Sequence, residues 1–196
     1  MLFRSPYRGA YGHDLMALPE GEVFSACGAA HLIARDLFLQ VGGFDERFFC
    51  YCEDLDLAFR LRLAGFTCVQ VPDAVVLHAG SGISGRTSEF TLFHGHRNRV
   101  WTYVKNTPGL WMWILLPYHL AYDALMTYTS LRIGLGWTVG RAHLAALMGI
   151  GPVLADRRAV QKRRKAPIAD LFRAMAWEPR SPLKRDIARR LAADAK

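Results

Sequence analysis

Hydrophobic and polar positions divide the chain into an amino-terminal part of short, mixed elements and a carboxy-terminal part of long apolar segments. In the first part, β-branched runs bounded by turn residues predict strands, and apolar residues at helical spacing predict helices. The predicted strands are Glu22–Cys27, TCVQV (67–71) and AVVLH (74–78), and the predicted helices are Ala34–Gly43, Glu53–Ala64 and Ser88–Asn106. Stop signals follow the helices, at Gly42-Gly43, Gly65 and Pro108-Gly109. This alternation predicts an α/β domain.

Beyond Pro108 the pattern becomes almost wholly apolar. Uncharged runs of 17 and 14 residues cover Asn106–Tyr122 and Ala142–Ala155, and the basic stretch DRRAVQKRRK (156–165) follows. A membrane-spanning helix needs about 20 apolar residues, so each run is short for a span. Apolar helices bordered by Trp, Tyr and basic residues are typical of attachment to an anionic membrane surface. The alternative is a helical hairpin that packs on the main domain.

The charge of the chain is concentrated at its carboxy-terminal end. The 196 residues carry a net charge of +8, and residues 156–196 hold 13 Lys and Arg against 5 Asp and Glu. This distribution predicts a basic appendage rather than a basic fold. Basic runs can bind the phosphate backbone of nucleic acids, but this run lacks interleaved aromatic residues and directly follows an apolar segment. We therefore expect no nucleic-acid partner, and anionic lipid instead.

Cysteine usage and the amino terminus indicate the compartment. The four cysteines form no C-x-x-C pair and lie in apolar runs, which predicts reduced thiols. The first residues, MLFRSPYRGAYGHD, lack a long apolar core behind a basic start, so no secretory signal is expected. Together with the apolar helices, this predicts a cytoplasmic protein, peripheral on the inner face of the cell membrane.

The acidic residues of GGFDERFFCYCEDLDLAFRLRLAGF (42–66) are the first candidates for chemistry. Acids in the first turn of a helix complement its positive end, and Asp56 with Arg60 has the spacing of a structural ion pair. Asp54 points about 100° away from Glu53 on a helix of 3.6 residues per turn, so the two face different surroundings. Desolvation beside the neighbouring aromatic residues would favour Asp54 as a general base, with a purely structural role as the alternative.

Histidines and arginines further along form a second set of candidates. His78 ends a predicted strand before a Gly-rich loop, where it is placed to bind a metal or to serve as a core histidine. In HGHRNR, His94 and His96 lie two apart and do not share a helical face, which argues against a three-histidine metal site. Arg97 and Arg99 face either an anionic phosphate or solvent, and Arg97 is a weak candidate for phosphate binding.

These residues together resemble a known family. The segment GAAHLIARDLFLQVGGFDERFFCYCEDLDLAFRLRLAGFTCVQVPDAVVLHAGSG, followed by HGHRNRVWTYVKN, resembles the C-terminal half of family 2 glycosyltransferases, particularly the rhamnosyltransferase-like branch, over roughly residues 22–106. The resemblance implies a GT-A, Rossmann-like fold that transfers a sugar from a nucleotide-sugar donor to a glycan or lipid-linked acceptor, with inversion of configuration at the anomeric carbon. It implies Asp54 as general base, Glu53 as acceptor contact, and His78 as ligand of a divalent metal (Mn²⁺ or Mg²⁺) that holds the diphosphate.

The chain also departs from the family pattern. The nucleotide-binding β-α-β half with its D-x-D motif has no counterpart before Glu22. The expectation is an incomplete GT-A portion over 1–106, an apolar helical membrane-surface region over 107–155, and a basic helical tail over 156–196. A separate N-terminal half or self-association would complete the donor side. The alternative is a non-catalytic membrane-surface adaptor that retains part of the fold.

Overall fold

The computed structural model describes residues 5–6, 21–71, 73–74, 76 and 87–176, and this part of the chain is mainly helical. The helices are α1 (Arg35–Gln40), α2 (Glu53–Leu63), α3 (Glu89–Asn106), α4 (Trp111–Arg132), α5 (Gly136–Met148), α6 (Ile150–Lys162) and α7 (Ile168–Arg173). The strands are β1 (Ser5–Pro6), β2 (Gly21–Val23), β3 (Cys68–Gln70) and β4 (Met175–Ala176). A single 3-10 turn, Glu46–Phe48, precedes α2.

The strands form two small antiparallel ladders. β1 pairs with β4, and β2 pairs with β3 so that Glu22 lies opposite Val69. The predicted α/β character is therefore present in the described residues only as a minor component beside the helices, and the GT-A fold stays a prediction. The third predicted strand, AVVLH, falls partly on positions 75, 77 and 78, outside the described residues. Val69 and Val71 are more than half exposed, so one apolar face of this ladder is uncovered.

The predicted helix boundaries agree closely with the structure. α2 ends at Leu63, and Gly65 follows with φ +99°, a left-handed conformation that terminates helices and that glycine adopts without steric cost. α3 starts with a reciprocal cap: the Ser88 hydroxyl accepts from the Thr91 N–H at 3.2 Å, and the Thr91 hydroxyl accepts from the Ser88 N–H at 3.0 Å. Both boundaries follow from local residue chemistry alone.

The first hydrophobic core joins α2 to the end of the described chain. Its buried members come from β2 and its extension, α2, α7 and β4: Phe24, Phe59, Leu63, Leu171, Phe172 and Met175. Arg62 reinforces this core with hydrogen bonds to the carbonyl oxygens of Val23 and Phe24. Residues from the predicted basic tail thus contribute to the same core as the acidic helix α2.

The second core lies where α3 meets the junction of α5 and α6. Phe48, Trp101, Ala146 and Val153 form it, and the Trp101 indole donates to the Ala146 carbonyl at 2.9 Å. Gly149 is required at this junction, because a Cβ there would lie 2.4 Å from Cζ2 of Trp101. The apolar carboxy-terminal helices therefore pack directly on the predicted catalytic portion.

The boundary predicted between Ala155 and Asp156 falls inside α6. Arg157, just beyond it, donates to the carbonyl oxygens of Val104 and Thr107, each at 2.6 Å, and so satisfies the carboxy-terminal end of α3. The first part of the basic segment is consequently built into the fold, and the remainder of the predicted tail, 177–196, lies outside the described residues.

Helices α4 and α5 expose many apolar side chains. On α4 they recur at helical spacing and form one stripe with members Trp113, Ile114, Leu120 and Leu131, and on α5 the exposed set is Trp137, Leu144, Leu147 and Met148. Among the described residues, no helix taken singly has the length and apolar content of a membrane span. The pair α5 and α6 meets that criterion only when taken together, and it is bent by 58°.

Candidate active site

A strained loop leads into the acidic start of α2. Phe49, Tyr51 and Cys52 all have positive φ, at 60°, 68° and 65°. Residues other than glycine adopt this conformation at a cost, and such strain persists only where surrounding contacts impose it. The loop fixes where α2 begins and therefore where Glu53 and Asp54 stand.

Asn98 of α3 holds this loop. Its side chain is fully buried, and Nδ2 lies 2.8 Å from each of three carbonyl oxygens, those of Phe48, Cys50 and Tyr51. A buried amide that satisfies several loop carbonyls makes its own removal costly. Asn98 thus connects the middle of α3 to the loop that positions the acidic pair.

Asp54 lies against the small-residue turn after β2. The Gly28 N–H donates to Asp54 Oδ2 at 2.9 Å, and the Leu55 N–H donates to Oδ1 at 2.7 Å. A Cβ at position 28 would stand 3.4 Å from Cβ of Asp54 and 3.6 Å from Oε1 of Glu53. A Cβ there would make ordinary van der Waals contact with both acids, and a larger side chain would cover them. The structure brings Glu53 and Asp54 together at one partly exposed surface.

Asp56 faces the opposite way, into the protein. It is fully buried and accepts from Arg60 Nε at 2.8 Å, Lys105 Nζ at 3.0 Å and Asn106 Nδ2 at 2.7 Å. This confirms the predicted pairing of Asp56 with Arg60. Lys105 and Asn106 extend the pair into a wider α2–α3 polar network that also includes Asp45.

Lys105 is shared between two carboxylates. Its ammonium lies 2.8 Å from Asp45 Oδ2 as well as 3.0 Å from Asp56 Oδ2. Burial raises the pKa of Asp45, but hydrogen bonds from Arg47 and Lys105 outweigh it and hold that pKa well below its usual range. Arg47 also pairs with Asp156 of α6. Asp45 and Asp56 thus form a structural set of acids in the 42–66 segment, distinct from the pair Glu53 and Asp54.

Arg97 contacts the same loop from α3. Its guanidinium donates to the carbonyl oxygens of Arg47 and Phe48, at 3.0 and 3.2 Å, and lies 4.5 Å from the centre of the Trp101 ring. These contacts give Arg97 a structural role, and its predicted phosphate contact stays a prediction. His94 and His96 diverge as expected: His94 contacts Arg97, whereas His96 contacts Arg99.

Aromatic rings flank the loop on its exposed side. Phe49, 74% exposed, lies 6.2 Å from Phe90 and 5.7 Å from His94, and Tyr51 lies 6.2 Å from Phe90, measured between ring centroids. The sequence indicated aromatic surroundings for the acidic pair, and the structure places rings from the loop and from α3 next to one another.

The cysteines near the site form no disulfides. All four cysteines lie within the described residues and are half-buried. Burial, with the negative charges of Glu53 and Asp54, raises the pKa of Cys50 and keeps its thiol protonated. The expected reduced state therefore fits their surroundings.

The predicted metal ligand His78 lies outside the described residues. Its position relative to Asp54 is accordingly not part of the observed geometry, and the divalent metal on the donor diphosphate stays a prediction.

Sequence reasoning missed three positioning residues. Neither the place of Gly28 after the first predicted strand nor that of Asn98 within HGHRNR indicates a role in positioning the acids. Lys105 carried no signal beyond its charge. Each acts over a long sequence separation, such as the 26 residues between Gly28 and Asp54, which helical and strand periodicity does not register.

Comparison with known proteins supports a glycosyltransferase relationship. The chain is 36% identical over 133 residues to the N-acetylglucosaminyl-diphospho-decaprenol L-rhamnosyltransferase of two Mycobacterium tuberculosis strains, CDC 1551 / Oshkosh and ATCC 25618 / H37Rv, covering 66% of this chain and 43% of each relative. It is also 36% identical over 73 residues to rhamnosyltransferase WbbL of Escherichia coli K12, covering 34% of this chain and 28% of that protein. No family model and no solved structure matches.

The chain spans less than half the length of these relatives. The relatives are rhamnosyltransferases by name, so the similarity supports the predicted relationship of this chain to glycosyltransferases. It agrees with the rhamnosyltransferase-like branch that the motifs resemble, without testing the GT-A fold or the roles of single residues.

Proposed function

We propose that the chain forms the acceptor side of a glycosyltransferase that transfers a sugar, rhamnose by similarity, from a nucleotide-diphosphate sugar to a lipid-linked glycan. The observation that carries this proposal is the position of Asp54, held by the Gly28 N–H at the surface beside Glu53. The relatives' names supply the sugar and a polyprenyl diphosphate acceptor.

In the proposed reaction, Asp54 is the general base. Its carboxylate takes the proton of the acceptor hydroxyl as the hydroxyl oxygen bonds to the anomeric carbon, and the bond from that carbon to the nucleotide diphosphate breaks. Attack from the face opposite the leaving group inverts the configuration. A carboxylate offers about four lone-pair positions, so orientation by two N–H groups is compatible with this proton transfer.

Glu53 and the aromatic rings are the proposed acceptor contacts. Glu53 Oε1 lies beside the same turn as Asp54, and the Phe49 ring, on the strained loop before α2, is exposed to solvent. A carboxylate accepts hydrogen bonds from sugar hydroxyls, and aromatic rings offer apolar faces to a saccharide. A divalent metal, when bound, would neutralise the donor diphosphate, with His78 as the proposed ligand, and Arg97 is a weaker candidate for contact with that phosphate.

The exposed apolar residues of α4 and α5 support location at a membrane surface. Trp113 and Trp137 are 62% and 79% exposed, and they lie among exposed leucines. Large exposed apolar patches mark interaction surfaces, and Trp is favoured at membrane interfaces. We propose peripheral attachment to an anionic membrane on the cytoplasmic side, which would bring a lipid-linked acceptor to the acidic pair.

The test is a transfer assay with the purified chain, nucleotide-diphosphate rhamnose, Mn²⁺ and an N-acetylglucosaminyl-diphospho-polyprenol. Asp54→Asn should lower turnover by about 10²–10⁴-fold, because the amide cannot accept the proton. The amide keeps only one of the two oxygens that accept from the Gly28 and Leu55 N–H groups, so the unfolding temperature should fall by about 2–4 °C while the chain stays folded. Asp36→Asn, an exposed acid on α1, is the matched control and should retain activity.

Comparable activity in Asp54→Asn would remove Asp54 from the role of base. A folded chain that binds anionic vesicles but neither binds donor nor makes product, also when mixed with a donor-binding half of a relative, would favour the adaptor alternative. Product formed only after such mixing would support the expectation that a separate half completes the donor side.

A further inference from the structure

Away from the acidic pair, three helices bring a carboxylate and two imidazoles together. His96 comes from α3, Asp123 from α4 and His143 from α5. One possible ligand atom from each lies within 4.8 Å of the other two. None of these residues takes part in the proposed transfer reaction, so their convergence needs its own explanation.

The individual distances show a compact arrangement around Asp123. Its Oδ2 lies 2.7 Å from His143 Nε2, and its Oδ1 lies 3.8 Å from His96 Nδ1. The two imidazole rings are 5.5 Å apart between centroids. Zinc bonds of about 2.0–2.1 Å in a tetrahedral site separate the ligand atoms by about 3.3 Å. Since the ligand atoms lie within 4.8 Å of one another, each separation would have to change by about 1.5 Å or less to surround an ion.

The contact between His143 and Asp123 is short without being a good hydrogen bond. Within the described residues, the buried Nε2 of His143 has no hydrogen-bond partner of acceptable geometry, despite the 2.7 Å separation from Asp123 Oδ2. A buried polar atom left in this state is costly. An ion between the nitrogen and the oxygen would satisfy both atoms, which a direct contact of this geometry does not.

Arg99 supports the carboxylate from the other side. Its guanidinium pairs with Asp123 Oδ1 and lies 3.1 Å from His96 Nδ1. Hydrogen bonds to a ligating carboxylate orient it and are a usual part of metal sites. Metal binding would require Arg99 to give up the His96 contact, while its pairing with Asp123 is compatible with Oδ2 as the ligating oxygen.

An ion can reach the cluster from solvent. The His143 side chain is 30% exposed, whereas those of His96 and Asp123 are only 5% and 15% exposed. The route therefore passes His143.

We propose that His96, Asp123 and His143 bind a divalent transition-metal ion of the Zn²⁺ type. Two nitrogen ligands and one oxygen ligand suit zinc, with a water molecule as the fourth ligand. The ion would tie α4 and α5 to α3, in a structural role. This site is separate from the Mn²⁺ or Mg²⁺ expected on the donor diphosphate, and it does not depend on the proposed function.

The test is titration of the full chain, stripped of metal with a chelator, with Co²⁺ followed by visible absorption and then with Zn²⁺ in competition. One equivalent should bind with the d–d bands of a tetrahedral nitrogen and oxygen site and without a thiolate charge-transfer band. His143→Gln and Asp123→Asn should each weaken binding at least about tenfold, since each removes a ligand or its charge. Saturating Zn²⁺ should raise the unfolding temperature of the original chain and not of the two variants.

The matched control is His94→Gln, which alters a histidine on the same helix that faces Arg97 rather than Asp123. It should bind Co²⁺ as the original chain does. The proposal is overturned if the folded chain binds neither ion, or if both cluster variants keep full affinity. A thiolate band, which would place the ion on cysteines, would also overturn it.

Discussion

The α2–α3 junction and the α4–α5 pair distribute polarity in opposite ways. At the junction, charged and amide side chains are buried: Asp56 and Asn98 are fully buried, and Lys105 is nearly so. On α4 and α5, large apolar side chains such as Trp113 and Trp137 are exposed. In most soluble domains, charged side chains lie at the surface and large apolar side chains lie in the core.

The α2–α3 junction and the α4–α5 pair therefore have different roles. A buried polar network fixes geometry, because each member requires its partners in defined positions. An exposed apolar surface has no such requirement within the chain, and it gains free energy when something covers it. The first region therefore holds the acidic pair in place, and the second is available for contact outside the chain.

The largest expected effect comes from breaking the buried network. Asp56→Ala removes the carboxylate that Arg60, Lys105 and Asn106 all contact. It leaves two buried cations without this partner, and the free energy of unfolding should fall by about 3–5 kcal/mol. Urea denaturation followed by circular dichroism measures the change.

The control is Asp170→Ala on α7, an exposed acid paired with Arg173 at 3.0 Å. Exposed pairs contribute little, so its cost should stay under about 1 kcal/mol. Equal losses in the two variants would contradict the distinction between buried and exposed pairs.

A smaller loss is expected at the loop that precedes α2. Asn98→Ala would leave the carbonyl oxygens of Phe48, Cys50 and Tyr51 without their amide donor and should cost about 2–3 kcal/mol in urea denaturation. Gln161→Ala, which removes one 3.2 Å contact to a single carbonyl, is the matched control and should cost less than about 1 kcal/mol. A similar cost for both would argue against Asn98 as the residue that holds the loop.

Asp56 and Asn98 also illustrate which contacts the sequence predicts and which it does not. Helix ends such as Gly65 and the Asp56–Arg60 pair depend on residues within a few positions of each other, and local pattern captures them. The contacts of Asn98 and Lys105 span about 50 residues, and no local pattern encodes them. The positive φ values at Phe49, Tyr51 and Cys52 were equally unpredictable, because nothing in residue type favours that conformation there.

The same reasoning applies to the candidate site. The acidic pair was found by motif resemblance, whereas Gly28 gained its role only once the turn lay beside Asp54. Periodicity also left open whether the apolar helices cover the main domain or remain exposed. The structure shows both: α5 packs on α3 through Ala146, while its Leu144 and Leu147 stay exposed.

A pH-dependent loss of unfolding free energy, similar in size to that of Asn98→Ala, is expected where α4 packs on α3. His119 of α4 is buried and stacks on Tyr103 at 4.1 Å, and burial, with the positive charge of Arg99 among other charges, lowers its pKa to about 3. Because the folded pKa lies below the unfolded value of about 6.5, its contribution to stability is present above pH 6.5 and is lost as pH falls toward 3.

His119→Phe keeps a ring for the stacking contact and removes the titration. Between pH 7 and pH 4.5 it should lose about 2–3 kcal/mol less unfolding free energy than the original chain. His31→Phe, an exposed ring outside this contact, serves as control and should follow the original chain. Parallel pH curves for the original chain and His119→Phe would show that His119 does not account for acid sensitivity.

The smallest effect on stability, and the one that tests the apolar region, is expected for Trp137→Ser. The side chain is 79% exposed, so unfolding free energy should change by less than about 0.5 kcal/mol. If this surface contacts lipid, binding to vesicles that contain anionic phospholipid should weaken about tenfold, because one large apolar side chain no longer leaves water. Leu39→Ser removes a 53% exposed apolar residue from α1 and should leave vesicle binding unchanged. Equal binding by all three proteins would mean that exposed apolar residues of α5 do not meet the membrane, and the comparison between the two regions would then need a protein partner for α4 and α5.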